Sequence, residues 1–123
     1  MAHDYNINVD DKFGHSALID IDAEVAGVAE DWFNQTLTTV NDSVVRLGVL
    51  HGEFHWHKHE AEDEFFLVLS GRLLIDIEHA ETVELEPHQG FTVPRGVMHC
   101  TRAPEKTVVL MVEPAAVVPT GDD

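Results

Sequence analysis

From residue 43 onward, apolar and polar positions alternate in short runs separated by turn residues, the period of a half-buried strand. The runs fall at 44–50, 53–59, 65–69, 72–78, 82–85, 90–93, 97–101 and 107–112. In 53–59 the alternation places His55, His57 and His59 on one face and Phe54, Trp56 and Lys58 on the other. The run 65–69 is apolar on both faces and stops at Ser70-Gly71, which reads as a hairpin turn into 72–78. Pro87 ends one strand, and Pro94-Arg95-Gly96 separates two others. The first 42 residues are less regular. Residues 20–33 predict a short helix with Asp22 as N-cap and Val25, Val28 and Ala29 on one face, weakened by Gly27. Residues 34–40 read as extended. Residues 115–123 read as an exposed tail.

About eight short strands with turn signals every 8–12 residues predict an all-β sandwich or barrel. At 123 residues the chain forms one domain. The expected division is an N-terminal arm (1–42) packing on the barrel, the barrel itself (43–114) and the tail (115–123). Seven Lys and Arg stand against 23 Asp and Glu, a formal charge of −16. Such a surface repels phosphate backbones and anionic lipid, so neither nucleic acid nor membrane is an expected partner. The single cysteine, Cys100, allows no internal disulfide. The opening residues lack a basic and apolar leader, and no apolar run approaches the roughly 18 residues of a membrane span. The expected location is cytoplasmic.

Histidine changes this bland picture: there are nine, four of them between His51 and His59. His57 and His59, two apart on an expected strand, leave the same face with Cα atoms roughly 7 Å apart. Glu64 opens the next strand and meets them across the pair. His99 follows the Pro94-Arg95-Gly96 turn and reaches the same point across a barrel. Three imidazoles and a carboxylate suit one divalent transition metal: Mn, Fe, Co, Ni, Cu or Zn. The competing reading is a polar, solvated sheet face, which makes the repeated spacing a coincidence.

The run from Gly52 to Gly71 resembles the first motif of the cupin superfamily, G-x5-H-x-H-x3-4-E-x6-G, and the run ending in His99 resembles the second, G-x5-P-x-G-x2-H. Four residues rather than five separate Gly52 from His57, and His88 stands where the second motif opens with Gly. The chain is also similar to the small, single-domain, mannose-6-phosphate-isomerase-like cupins over about residues 32–121. The resemblance implies an RmlC-like double-stranded β-helix (jelly-roll) barrel with a short, partly helical N-terminal segment. It further implies a metal held inside by His57, His59, Glu64 and His99, and a homodimer.

His55 shares the expected face of the ligand histidines and is a candidate acid–base group, or else a buried hydrogen-bonded histidine. Glu62, in the 60–63 turn, is a second acid–base candidate, set against a plain solvated acidic loop. Two functions follow. The first is an enzyme acting on a small organic substrate, by isomerase, lyase or oxygenase chemistry, at a metal that polarises an enediol, ketone, carboxylate or dioxygen. The second is a non-catalytic, metal-bearing module that binds or senses a small ligand.

Overall fold

The structure, a computed structural model, describes residues 5–122; Met1–Asp4 of the leader reading and Asp123 of the tail lie outside the described residues. The elements are β1 (Asn6–Asn8), α1 (Ile21–Ala26), β2 (Trp32–Val40), β3 (Ser43–Glu53), β4 (Glu64–Ser70), β5 (Leu73–Ile77), β6 (Val83–Leu85), β7 (Gly90–Val93) and β8 (His99–Pro114). The main sheet runs β1-β2-β3-β8-β4-β7, with β5 on the first part of β8 and β6 on β5. The architecture is all-β, a double-stranded β-helix whose sheet is not closed.

The long strand β8 organises the fold. Its first part, 99–102, pairs with β5, and its second part, 108–112, pairs with β4. The sequence predicts two separate strands here; the chain instead makes one, with Pro104 inside it. Opposite β3 the register jumps from Leu50↔Thr107 to Gly52↔Ala103, so Pro104 sits in a bulge where no ladder donor is required.

Ser70-Gly71 is not a hairpin turn. β4 and β5 do not pair with each other; each pairs with a different part of β8, so the chain crosses a corner there. Gly71 has φ +83°, and a Cβ on it would lie 2.5 Å from Thr107 Oγ1 and 2.6 Å from the Lys106 carbonyl. Close packing on the bend of β8 is the constraint, and only glycine fits it.

The run 53–59 is not a strand beyond Glu53. Residues 54–59 are irregular and touch the sheet through one bridge, His57↔His99. The expected alternation fails there, since Phe54 is buried while His55 and Trp56 are both exposed.

The N-terminal segment also departs from expectation. The helix starts two residues earlier than expected, with Asp20 as its N-cap: its backbone is extended (φ −107°, ψ 106°) and its side chain accepts from the Ala23 amide. Asp22 lies inside the first turn. Val28 and Ala29 lie beyond the helix, which Gly27 caps. Residues 34–40, expected as extended, belong to β2, which pairs along β3; β1, absent from the sequence reading, adds to β2 in parallel.

Alternation then sorts the side chains into two apolar groups. Inside the roll lie Phe66, Val68, Leu73, Ile75, Val109 and Met111. Fully burying one such side chain contributes about 1.5–3 kcal/mol. On the outer face Leu37, Leu47, Val49 and Val108 are covered by Phe13, Ile19, Ile21, Val25 and Val28. The tail is exposed over most of its length but anchored: Val117 and Gly121 are buried, and the Asp122 amide donates to the Lys58 carbonyl at 2.9 Å.

Candidate metal centre

Three segments converge inside the roll. The irregular loop supplies His57 and His59, the first residue of β4 supplies Glu64, and the first residue of β8 supplies His99. All four are buried, and one donor atom from each lies within 4.8 Å of the others. His57 and His99 are locked together by reciprocal backbone hydrogen bonds of 2.9 Å.

The ring nitrogens are not equivalent. His57 Nδ1 donates to the His55 carbonyl at 3.0 Å, and His99 Nδ1 donates to the Val97 carbonyl at 2.9 Å. In each case a carbonyl two residues earlier fixes the tautomer and leaves Nε2 with its lone pair facing the cluster. His99 Nε2, both nitrogens of His59 and Glu64 Oε1 are buried without a hydrogen-bond partner. Glu64 Oε1 is 3.5 Å from His99 Nε2 and 3.7 Å from His59 Nε2. These gaps are long for hydrogen bonds. They are close to the about 3.4 Å that separates donors sharing a tetrahedral cation with bonds of about 2.1 Å. Orphaned, convergent donors of this kind are what a metal ion satisfies, so the four residues could hold one.

Charge supports the same geometry. Burial pushes the His57 imidazole down to about 4, so it is neutral and free to ligate near pH 7. Burial also opposes charge on His59, but Glu64, Asp122 and Glu62 outweigh it and raise that imidazole. For Glu64, burial raises the carboxyl, yet His59, His99 and Glu113 together hold it well below the usual carboxylate range. It is therefore an anion within the roll.

Behind Glu64 lies a pair the sequence reading missed. Glu113 accepts from Arg46 Nη1 at 3.2 Å, and the two side chains are 1% and 3% exposed. Burial and the neighbouring Glu64 charge push the Glu113 carboxyl up to about 9, against the pull of Arg46. The signal was present in the alternation: Glu113 follows Val109 and Met111 on the inward face of β8, and Arg46 lies opposite Met111.

The acid–base candidates fall elsewhere. His55 does not share the inward face of His57. It is exposed, it stacks on Phe54, and its Nε2 donates to the Thr120 carbonyl at 2.7 Å. Glu62 is half-buried and groups with His59 and the exposed Asp122, one donor atom from each lying within 4.8 Å of the others. Beside the four donors is a cavity of about 30 Å³, lined among others by Trp32, Asn34, His57, Glu64 and Pro119. Asn34 Oδ1 is buried there without a partner.

An eight-stranded β-roll with three buried imidazoles and a carboxylate on its inner wall defines a double-stranded β-helix protein with a cupin-type donor set. Residues 43–113 match the Cupin domain family, and the chain belongs to it. It is 44% identical over 86 residues, 70% of this chain and 76% of that protein, to Uncharacterized protein YdbB of Bacillus subtilis (strain 168). Among solved structures it is similar to a cupin-2 domain containing protein from Shewanella frigidimarina, with a TM-score of 0.74, 28% identity, and coverage of 79% of this chain and 94% of that one. It is also similar to a chain from the structures of two DMSP lyases, with a TM-score of 0.56, 27% identity, and coverage of 70% of this chain and 44% of that longer one. No helix among the described residues is long and apolar enough to cross a membrane.

Proposed function

We infer that this cupin holds one divalent transition-metal ion through His57, His59, Glu64 and His99 and acts on a small organic substrate there. The observation that carries the reading is the set of buried donor atoms on His59, Glu64 and His99 that nothing in the fold satisfies. Unpaired buried polar atoms cost about 1–3 kcal/mol each, so the three that face one another, His59 Nε2, Glu64 Oε1 and His99 Nε2, need a compensating partner. When bound, a divalent ion with one carboxylate ligand keeps about one net positive charge and polarises a carbonyl, enediol or carboxylate oxygen. The backbone carbonyls of His55 and Val97 hold the His57 and His99 rings for this task. Asn34 offers a substrate the free polar atom of the cavity wall, and the apolar surfaces of Trp32 and Phe54 exclude water around it. Lyase chemistry in a structural relative is consistent with such a site.

A second reading, a metal-bearing module that binds a small ligand without turning it over, is favoured by one observation. His55, a candidate proton carrier, is tied to Thr120 and exposed rather than aimed into the cavity. The test begins with metal analysis of protein purified without added metal. The expected result is near one equivalent of a transition metal per chain, lost in His57→Ala and in His99→Ala while the far-ultraviolet spectrum stays that of a β protein. Unchanged metal content in both variants overturns the ligand assignment. Turnover of a small carbonyl or hydroxy-acid substrate by the metal-restored protein then separates enzyme from binder. The reading also takes a homodimer as the working form, supported by the partly exposed Val112 lying between Val45 and Phe65 on the outer face.

A further inference from the structure

Two of the three ligand histidines have their Nδ1 fixed by a backbone carbonyl, and His59 does not. It is 2% exposed, and both of its ring nitrogens lack a hydrogen-bond partner. Its Nε2 is the nitrogen near Glu64, at 3.7 Å. The other nitrogen needs an acceptor, because an imidazole that ligates through Nε2 carries its proton on Nδ1.

Carboxylate oxygens of the half-buried Glu62 and the exposed Asp122 lie within 4.8 Å of a His59 ring nitrogen and of each other. Asp122 is held there from both sides of His59. Its amide donates to the Lys58 carbonyl at 2.9 Å, and its Oδ2 accepts from the Glu60 amide at 2.7 Å. Its second carboxylate oxygen remains available. The segment that carries it is moulded onto the loop, with Thr120 accepting from His55 and Gly121 packed on His57. At Gly121, where φ is +95°, an added Cβ would lie 2.5 Å from His57 Cβ.

The geometry points to Asp122, seconded by Glu62, as the positioning carboxylate that accepts the Nδ1 proton of His59 and aims its Nε2 into the cluster. This makes residues 115–122 part of the metal centre, closing over it from outside. The inference rests on the metal reading above for its purpose, though not for its hydrogen bond. The remaining separation is closed by a small side-chain rotation or by one bridging water. Carboxylates in this role sharpen metal affinity by raising ligand basicity and fixing the ring. The sequence reading gave Glu62 an acid–base role; here it holds a ligand in place.

Two readouts test the inference. In the first, Co(II) is titrated against a competing chelator into the full chain and into Asp122→Ala, Asp122→Asn and Asp122→Ala/Glu62→Ala, with the visible Co(II) bands recorded. Affinity is expected to fall by about 10- to 100-fold, with shifted bands, as it does when an outer partner of a ligand histidine is removed. Asp122→Asn, which keeps the shape but offers one acceptor where two are needed, should fail much as Asp122→Ala does; packing alone would leave it intact. The second readout is the 15N signal of His59 Nδ1 in metal-free protein. It should show a proton-bearing nitrogen in the parent chain and lose that character in the double variant. A His59 Nδ1 without a proton in the parent chain overturns the inference, as do unchanged Co(II) affinity and bands in the double variant. If the parent chain takes up no Co(II), the metal reading fails and the nitrogen signal alone decides this one.

Discussion

Replacing Glu113 by Gln should make the metal-free protein progressively more stable than the parent as pH rises. Glu113 is buried behind Glu64, and burial together with the Glu64 charge pushes it up to about 9 from an ordinary value of 4.5. Between those limits the unfolded chain has released this proton and the folded chain retains it. Stability is therefore fully present below pH 4.5 and is lost as pH rises toward 9, by up to about 1.4 kcal/mol per pH unit for one proton. Glu64, held low, is ionised in both states over most of that range and adds no slope. His57, pushed down to about 4, contributes a slope of the opposite sign below its ordinary value of 6.5, but it does so equally in both proteins and cancels in the difference. From pH 6 to pH 8 the stability difference should thus move in favour of Glu113→Gln by up to about 3 kcal/mol. Urea melts in the presence of a chelator, at half-unit pH steps, measure it. A difference that stays constant over those two units would refute the reasoning, because Glu113 would then be ionised as a simple partner of Arg46.

Other consequences follow from the same contacts. Arg46→Met removes the buried donor that Glu113 accepts from and should cost about 1–3 kcal/mol, read by chemical denaturation at pH 7. Gly71→Ala should cost at least about 1–3 kcal/mol, since it combines a positive φ with a 2.5 Å approach to Thr107, and should lower the thermal midpoint by several degrees. Asp20→Ala, which removes the acceptor for the Ala23 amide, should cost about 1 kcal/mol, whereas Asp22→Ala should cost far less. Gly121→Ala should weaken metal binding, measured by chelator competition, because the new methyl group meets His57.

What was legible in the sequence depended on how local its cause was. Most strand positions could be read, because burial on one face of a roll imposes alternation directly. The four-donor cluster could be read because its spacing is written into two short motifs. Pairing was harder. The turn chemistry at Ser70-Gly71 is that of a hairpin, and only the bend in β8, far along the chain, converts it into a corner. The joining of 97–101 and 107–112 was hidden because Pro104 normally ends a strand; a compensating bulge opposite β3 lets the ladder continue. Arg46 and Glu113 were overlooked because a charged residue on an inward face reads as an error in the pattern until its partner is known. Asp122 lies some 60 residues from His59, and nothing local links them.

The failed strand at 54–59 explains how the centre is built. In a regular strand the carbonyls of alternate residues are engaged by the neighbouring ladder, and a ligand histidine has no local acceptor for its second nitrogen. Here the strand breaks after Glu53, and β8 starts only at His99, so the carbonyls of His55 and Val97 both lie outside any strand. Each is thereby available to the histidine two positions on. The single bridge His57↔His99 keeps enough pairing to hold the two rings together, with centroids 4.4 Å apart and planes tilted by 53°. The break that defeats the alternation is thus the condition for fixing two tautomers with backbone alone. His59, two residues further along, has no such carbonyl, which is why a side chain from another part of the chain is required to serve it.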